Sequence, residues 1–310
     1  MKIFHSIESF SSKTPTVLTI GTFDGIHIGH KKILDRLLNT AKNKKLQSLV
    51  LTFFPHPRMV LQKDSNIKLI HTIDERANIL DILGLDNLII QPFSKEFSRL
   101  SATEFVRDTL VNQLNVKHII VGYDHRFGRN RTANIDSLKE FGEIYDFTVE
   151  EISAQDIDEV SVSSTKIRNA LTEGNLQTAN TYLGATFQLN GTVTKGKGIG
   201  KTINFPTANI LISEEYKIIP KNGVYIAKAT IDNNTYFGMM NIGTNPTVNG
   251  SSQSIEIHLF DFNKDIYNKD ISVELLKRIR SEHKFVSIDS LKQQLAKDKK
   301  EALIYFEINE

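Results

Sequence analysis

The sequence predicts a two-domain α/β protein: a helix-covered parallel sheet first, then a small antiparallel β domain closed by a C-terminal helix. Three observations predict it. Residues 16–183 alternate short apolar runs with helical patterns, the alternation that builds a parallel sheet. Residues 185–276 carry short strands punctuated by Gly and Asn turns, and residues 288–306 return to helical spacing. The boundary is expected at the change of pattern, giving domains 1–183 and 184–310.

Each element has its own signal. TVLTI at 16–20 reads as a strand, and Ile33, Leu34, Leu37 and Leu38 place one apolar face on a helix over 31–43. A strand is expected at 49–54, a helix at 74–83 and a strand at 88–90. Ser101 and Glu104 have the spacing of a capping box, with Phe105, Val106, Leu110 and Leu114 continuing a helix behind them. A strand at 118–121, a helix at 135–141 and a last strand at 148–152 follow. Two closing helices are expected over 164–183, broken at Gly174. In the second domain, strands over 223–231 and 236–242 flank Asp232, Asn233 and Asn234, a hairpin turn. Residues 254–260 alternate, with Ile255, Ile257 and Leu259 on one face and Glu256, His258 and Phe260 on the other. Another strand is expected over 269–276, and the charged run 297–301 is expected to be a solvated helix face.

Composition narrows the function classes. Thirty-eight basic residues against 36 acidic ones leave no excess of the kind a dedicated nucleic-acid binder carries. With no cysteine, disulfides, thiolate catalysis and cysteine-ligated zinc are excluded. The first ten residues lack the apolar stretch of a signal peptide, and no run reaches the length of a membrane span. A cytoplasmic protein with no membrane or nucleic-acid partner is expected. Nothing in the sequence indicates an oligomeric state.

The segment GTFDGIHIGH at 21–30 joins the first strand to the first helix. In an open α/β sheet, ligands bind at the carboxyl ends of strands. Gly21 and Gly25 permit a tight turn, and free amides at a helix start favour an anion. His27 and His30, three apart, share one side of the first turn. One such His alone is more often an ordinary surface residue; the pair in HxGH directly after a strand and FDG turn favours phosphate binding. Three further segments stand in order: TFFPHPR at 52–58, VGYDHRFG at 121–128 and VSSTKIR at 162–168. Read singly, the last is a plain helix cap with an exposed Arg.

Together these four segments resemble the HxGH nucleotidyltransferases, and most of all the adenylyltransferase module of bacterial bifunctional riboflavin kinase/FAD synthetases. The resemblance implies a Rossmann-like domain that transfers AMP from ATP to FMN, giving FAD and pyrophosphate. It puts His27 and His30 on the phosphates and Gly21, Thr22, Phe23, Asp24, Gly25 and Gly29 around the nucleotide. Asp124, Arg126, Ser163, Ser164, Thr165 and Arg168 join them, while Phe54, His56 and Pro57 fall on the flavin side. The chain departs from the family pattern at Thr22, usually Asn, and at His125, usually Phe.

The loop GKGIGKT at 196–202 invites a P-loop reading. That template needs Gly four residues before Gly-Lys-Ser/Thr, then a helix. Here Lys195 holds the first position and INFP follows, so the reading is rejected. FPTAN at 205–209 resembles the signature of riboflavin kinases. That resemblance implies an antiparallel β-barrel domain phosphorylating riboflavin to FMN, with Gly196, Gly198, Gly200 and Lys201 at the nucleotide. It further implies Thr207 and Asn209 at Mg²⁺ with ATP, Glu256 as catalytic base and Arg280 on the flavin. Thr and Asn oxygens suit a hard cation. Asn204 stands where the family usually has Gly, and Lys201 where it has Arg. The substrates and products expected are therefore ATP, riboflavin, FMN and FAD. Two other readings stay open at this point: a nucleotidyltransferase with a different acceptor, and a non-catalytic flavin-binding regulator.

Overall fold

The computed structural model describes residues 1–62, 65–153, 162–196, 199–247 and 250–309. They form two units, Met1–Ser164 and Thr165–Glu310. The first is built on six strands, β1 (Lys2–Phe4), β2 (Thr16–Ile20), β3 (Gln47–Phe54), β4 (Asn87–Pro92), β5 (Val116–Gly122) and β6 (Thr148–Ile152). All pair in parallel, in the order β1-β4-β3-β2-β5-β6. β1 is a three-residue edge strand, too short to show a period in the sequence.

Alternation along the central strands divides the core into two layers. Leu18, Leu49, Leu51, Ile119 and Val121 face one layer, with Phe105, Val106, Leu110 and Leu138. Val17, Val50 and Ile120 face the other, with Leu34, Leu37 and Leu80. The second layer lies under α1 (Ile28–Lys44) and α3 (Ile73–Ile82); the short α2 (Pro57–Leu61) precedes α3. The first lies under α5 (Ile135–Tyr145) and the segment behind α4 (Ala102–Glu104). The capping box at Ser101 and Glu104 forms as expected. Behind it the chain winds as a π-helix over Phe105–Gln113. The five-residue spacings Phe105/Leu110 and Thr109/Leu114 suit that wider turn, and Leu114 N bonds to Thr109 O at 2.9 Å.

α6 (Ser164–Glu173) and α7 (Leu176–Leu183) belong, apart from Ser164, to the second unit. The sequence expects these helices to close the first domain, but their hydrogen bonds go elsewhere. Asn180 Nδ2 donates to Leu275 O at 3.0 Å, its Oδ1 accepts from Phe187 N at 2.9 Å, and Lys221 N donates to Leu171 O at 3.0 Å.

The second unit is a closed barrel of β7 (Phe187–Thr194), β8 (Ala208–Leu211), β9 (Gly223–Ile231), β10 (Asn234–Thr247), β11 (Gly250–Leu259) and β12 (Asp270–Arg280). Its order is β10-β11-β8-β7-β12-β9, antiparallel throughout. The one-turn α8 (Ile199–Thr202) precedes β8, and α9 (Ile288–Asn309) ends the chain. Asp232 and Asn233, at φ 50° and 63°, form a two-residue hairpin turn, tighter than the three residues expected. On β11 Ile255, Ile257 and Leu259 are buried, and so is His258 of the opposite face; Phe260, just past the strand, is buried too. Phe260 packs in a cluster with Ala302 and Phe306 of α9.

Candidate active sites

The strand order reverses at β2, which has β3 on one side and β5 on the other. Three of the four N-terminal motifs sit at the carboxyl ends of these strands, the crevice where an open sheet binds ligands. Here α1 starts earlier than its apolar pattern suggests. His27 is its N-cap, with Nδ1 accepting from His30 N at 3.3 Å. An accepting Nδ1 leaves the proton of a neutral ring on Nε2, free to donate outward. The two imidazoles stack at 3.7 Å with 14° between their planes, and the His30 ring lies 5.0 Å from that of Phe23. Burial drives His27 down to about 4, against the pull of Asp24. Burial, then His27, Arg76 and His71, holds His30 well below the usual range. Both rings are therefore neutral at pH 7, and among the described residues the buried His30 Nδ1 has no partner.

The other residues of this segment divide by what they touch. Asp24 is fully buried, and its carboxylate accepts from Ile70 N at 2.9 Å and His71 N at 3.1 Å. Its side chain thus holds the 70–71 loop against the turn. Gly25, at φ 88°, has Ile70 where a Cβ would stand, 2.8 Å away, so no larger residue fits. Thr22 contributes its carbonyl, which accepts from Thr52 Oγ1 at 3.1 Å. Gly21 opens the turn and Gly29 is buried in the first turn of α1. Ser164 Oγ donates to Asp24 O at 2.8 Å, which ties this last residue of the first unit to the HxGH turn. Ser163 precedes α6; Thr165 and Arg168 lie on it, within the second unit.

His56 caps α2, with Nδ1 accepting from Arg58 N at 3.1 Å; Pro57 takes the first helical position and Phe54 ends β3. Asp124 and Arg126 are exposed beyond β5. His125 between them is driven to about 4 by burial, and its Nε2 has no partner among the described residues. Motif reading missed two features. Phe53, Phe93 and Phe97 form a wall of edge-on rings 5.6 to 5.9 Å apart beside the ends of β3 and β4. Arg76 lies fully buried behind the HxGH turn. Neither shows in a linear motif, because their residues come from separate elements.

In the barrel, register does the assembling. Glu256 pairs with Asn209 on one side and with Asn241 on the other. Thr207 Oγ1 donates to Glu256 Oε2 at 2.9 Å, so FPTAN and the expected base meet directly. Gly196 packs against the Asn209 amide so closely that no Cβ fits. Gly200 and Lys201 lie on α8, and Gly198 lies outside the described residues. Asn204 adopts φ 63°, a left-handed conformation that Asn tolerates after Gly, which accounts for Asn at this position. Asn241, opposite Glu256, went unassigned because only the pairing reveals it.

Arg280 ends β12 and pairs with Asp298 of α9. Its Nη2 and Nε bind Asp298 at 2.7 and 3.0 Å, and its guanidinium lies 5.8 Å from the Phe285 ring. Asp298 is buried, with 1% of its side chain exposed. The run 297–301 is therefore not a uniformly solvated face: Asp298 turns inward to tie α9 to the end of β12. Among the described residues no cluster of His, Cys, Asp or Glu could hold a metal by itself. The oxygens of Thr207, Asn209 and Glu256 are the hard donors that suit Mg²⁺ shared with substrate phosphates.

Comparison with known proteins matches both units. The FAD synthetase family matches residues 9–166, and the riboflavin kinase family matches residues 183–306. The bifunctional riboflavin kinase/FMN adenylyltransferase of Buchnera aphidicola is 37% identical over 308 residues, 98% of this chain and 97% of its own. That of Bacillus subtilis is 37% identical over 97% of this chain and 95% of its own. A solved Streptococcus pneumoniae chain described as a macrolide-efflux protein superposes with a TM-score of 0.88 at 32% identity, covering 96% of this chain and 97% of its own. Among the described residues, no helix is long and apolar enough to cross a membrane.

Proposed function

This chain belongs to the bifunctional riboflavin kinase/FMN adenylyltransferase family, and on that premise we propose that its two units divide the two reactions. The chain phosphorylates riboflavin to FMN with ATP, then transfers AMP from a second ATP to FMN, giving FAD and pyrophosphate. The first unit, Met1–Ser164, carries the second reaction and the second unit, Thr165–Glu310, the first. The observation that carries the reading is the meeting of Thr207, Asn209 and Glu256 in the barrel, in a chain whose other unit holds the stacked HxGH pair.

In the kinase step, Glu256 accepts the proton from the ribityl 5′-hydroxyl as that oxygen attacks the γ-phosphorus of ATP. Thr207 orients the carboxylate through their 2.9 Å bond. Gly196, lacking a side chain, lets the glycine loop reach Asn209. Thr207 and Asn209 would hold Mg²⁺ with the nucleotide; when bound, the ion neutralises charge on the transferring phosphates.

In the adenylyl step, a phosphate oxygen of FMN attacks the α-phosphorus of ATP and pyrophosphate leaves. No protein nucleophile is needed, so catalysis rests on positioning and charge stabilisation. His27 keeps Nε2–H as a donor, because its Nδ1 accepts from His30 N, and the start of α1 adds the partial positive charge of a helix N-terminus. Ser164, bonded to Asp24 O, stands at this turn, where its hydroxyl adds a polar group beside the phosphates. Phe54, His56 and Pro57 stand on the flavin side.

The test is incubation with riboflavin and ATP, with Mg²⁺ or with EDTA, followed by chromatography. FMN and then FAD should form with Mg²⁺, and neither with EDTA. A chain that binds flavin without forming either product would refute the reading.

A further inference from the structure

Arg76 is the largest fully buried side chain among the described residues, 1% exposed on α3. A guanidinium is costly to bury unless it makes bonds that an apolar residue cannot. Its Nη1 donates to Thr52 Oγ1 at 3.1 Å, and Thr52 Oγ1 donates onward to Thr22 O at 3.1 Å. A hydroxyl has one proton. With Arg76 as donor to its oxygen, Thr52 commits that proton to Thr22. The relay thus joins α3, the end of β3 and the turn after β2 at one point.

What it holds is a specific peptide. The Thr22 carbonyl belongs to the peptide plane shared with Phe23, and rotation of that plane sets the φ of Phe23. Phe23 lies at φ 47°, a left-handed value that bulky residues rarely adopt. Such a conformation persists only when its surroundings fix it. The Phe23 ring in turn lies 5.0 Å from that of His30, which stacks on His27.

We propose that Arg76 is a positioning residue for adenylyl transfer: through Thr52 it locks the peptide between Thr22 and Phe23, and through Phe23 it sets the His27–His30 pair. This rests on the reading that the first unit carries adenylyl transfer. It also gives Thr22, where the family pattern departs, a role through its backbone. The Arg76 charge has a second consequence. Together with His27 and His71 it disfavours a proton on His30, while Asp24 acts oppositely on His27.

The test uses the full chain, measuring FAD formation from FMN and ATP, with riboflavin phosphorylation by the same chain as internal reference. Thr52→Val removes the hydroxyl at nearly constant volume, and should lower kcat about tenfold or more while KM for ATP changes less than about threefold. Thr52→Ser should recover most of the loss. Arg76→Met should lower kcat similarly and move the acid limb of the pH profile to higher pH, because a vanished cation lets His30 protonate more readily. Arg76→Lys should leave that limb in place. If Arg76→Met does not fold, the Thr52 pair decides alone. A Thr52→Val enzyme with kcat within about twofold of the unaltered chain overturns the proposal. An unaltered chain that makes no FAD overturns the functional reading, and this proposal with it.

Discussion

Burial holds the imidazoles of His27 and His125 neutral down to about pH 4, and this has a consequence for stability. In the unfolded chain a His takes its proton near pH 6.5. Between 6.5 and about 4 the unfolded state therefore binds more protons than the folded one, and stability falls as pH falls. The first unit should be fully stable above pH 6.5 and lose stability progressively below it, by roughly 3 kcal/mol for His27 by pH 4. Replacing His27 with Gln should flatten this slope in denaturant titrations between pH 7 and 5; an unchanged slope would contradict it. At the same scale, Asp298→Ala should strand the Arg280 charge and destabilise the second unit by about 3–5 kcal/mol, read from thermal melts. A loss below about 1 kcal/mol would mean the pair is solvated in solution. Individual roles were the least legible part of the sequence. Asp24 and Arg280 are charged residues in motif-like positions, and only the fold shows Asp24 bonded to the 70–71 amides and Arg280 paired with Asp298, eighteen residues downstream on α9.

Elements were more legible, because period and capping are local. The capping box at Ser101, the hairpin at Asp232 and the alternation of β11 all follow from nearest-neighbour chemistry. What escaped was set by partners distant in sequence. β1 exists because β4 pairs with it. His258 is buried because Phe205 and Pro206 pack on it, and Phe260, just past β11, because α9 does; alternation cannot announce either. Phe306 carries much of that cover: it is 8% exposed, and its ring lies 4.2 Å from that of Phe237. Phe306→Ala should cost the second unit about 3–5 kcal/mol. Calorimetry should show its transition lowered, with that of the first unit unmoved. A first-unit transition that moved equally would show the two to be coupled in unfolding.

At the scale of the molecule, one chain holds two phosphate chemistries in two separate cores. The sheet unit presents neutral imidazoles at a strand switch point, where we propose that a polyphosphate is held. The barrel unit presents a carboxylate hydrogen-bonded to Thr207, which we propose deprotonates a hydroxyl. The architecture was legible because the sequence pattern changes where the chemistry does, and the motifs lie on either side of that change. The most direct measurement follows each reaction separately in two variants of the full chain. Changing both His27 and His30 to Ala should abolish FAD formation from FMN and leave riboflavin phosphorylation within about twofold of the unaltered chain; Glu256→Ala should do the reverse. Equal loss of both reactions in both variants would contradict the division of labour between the units.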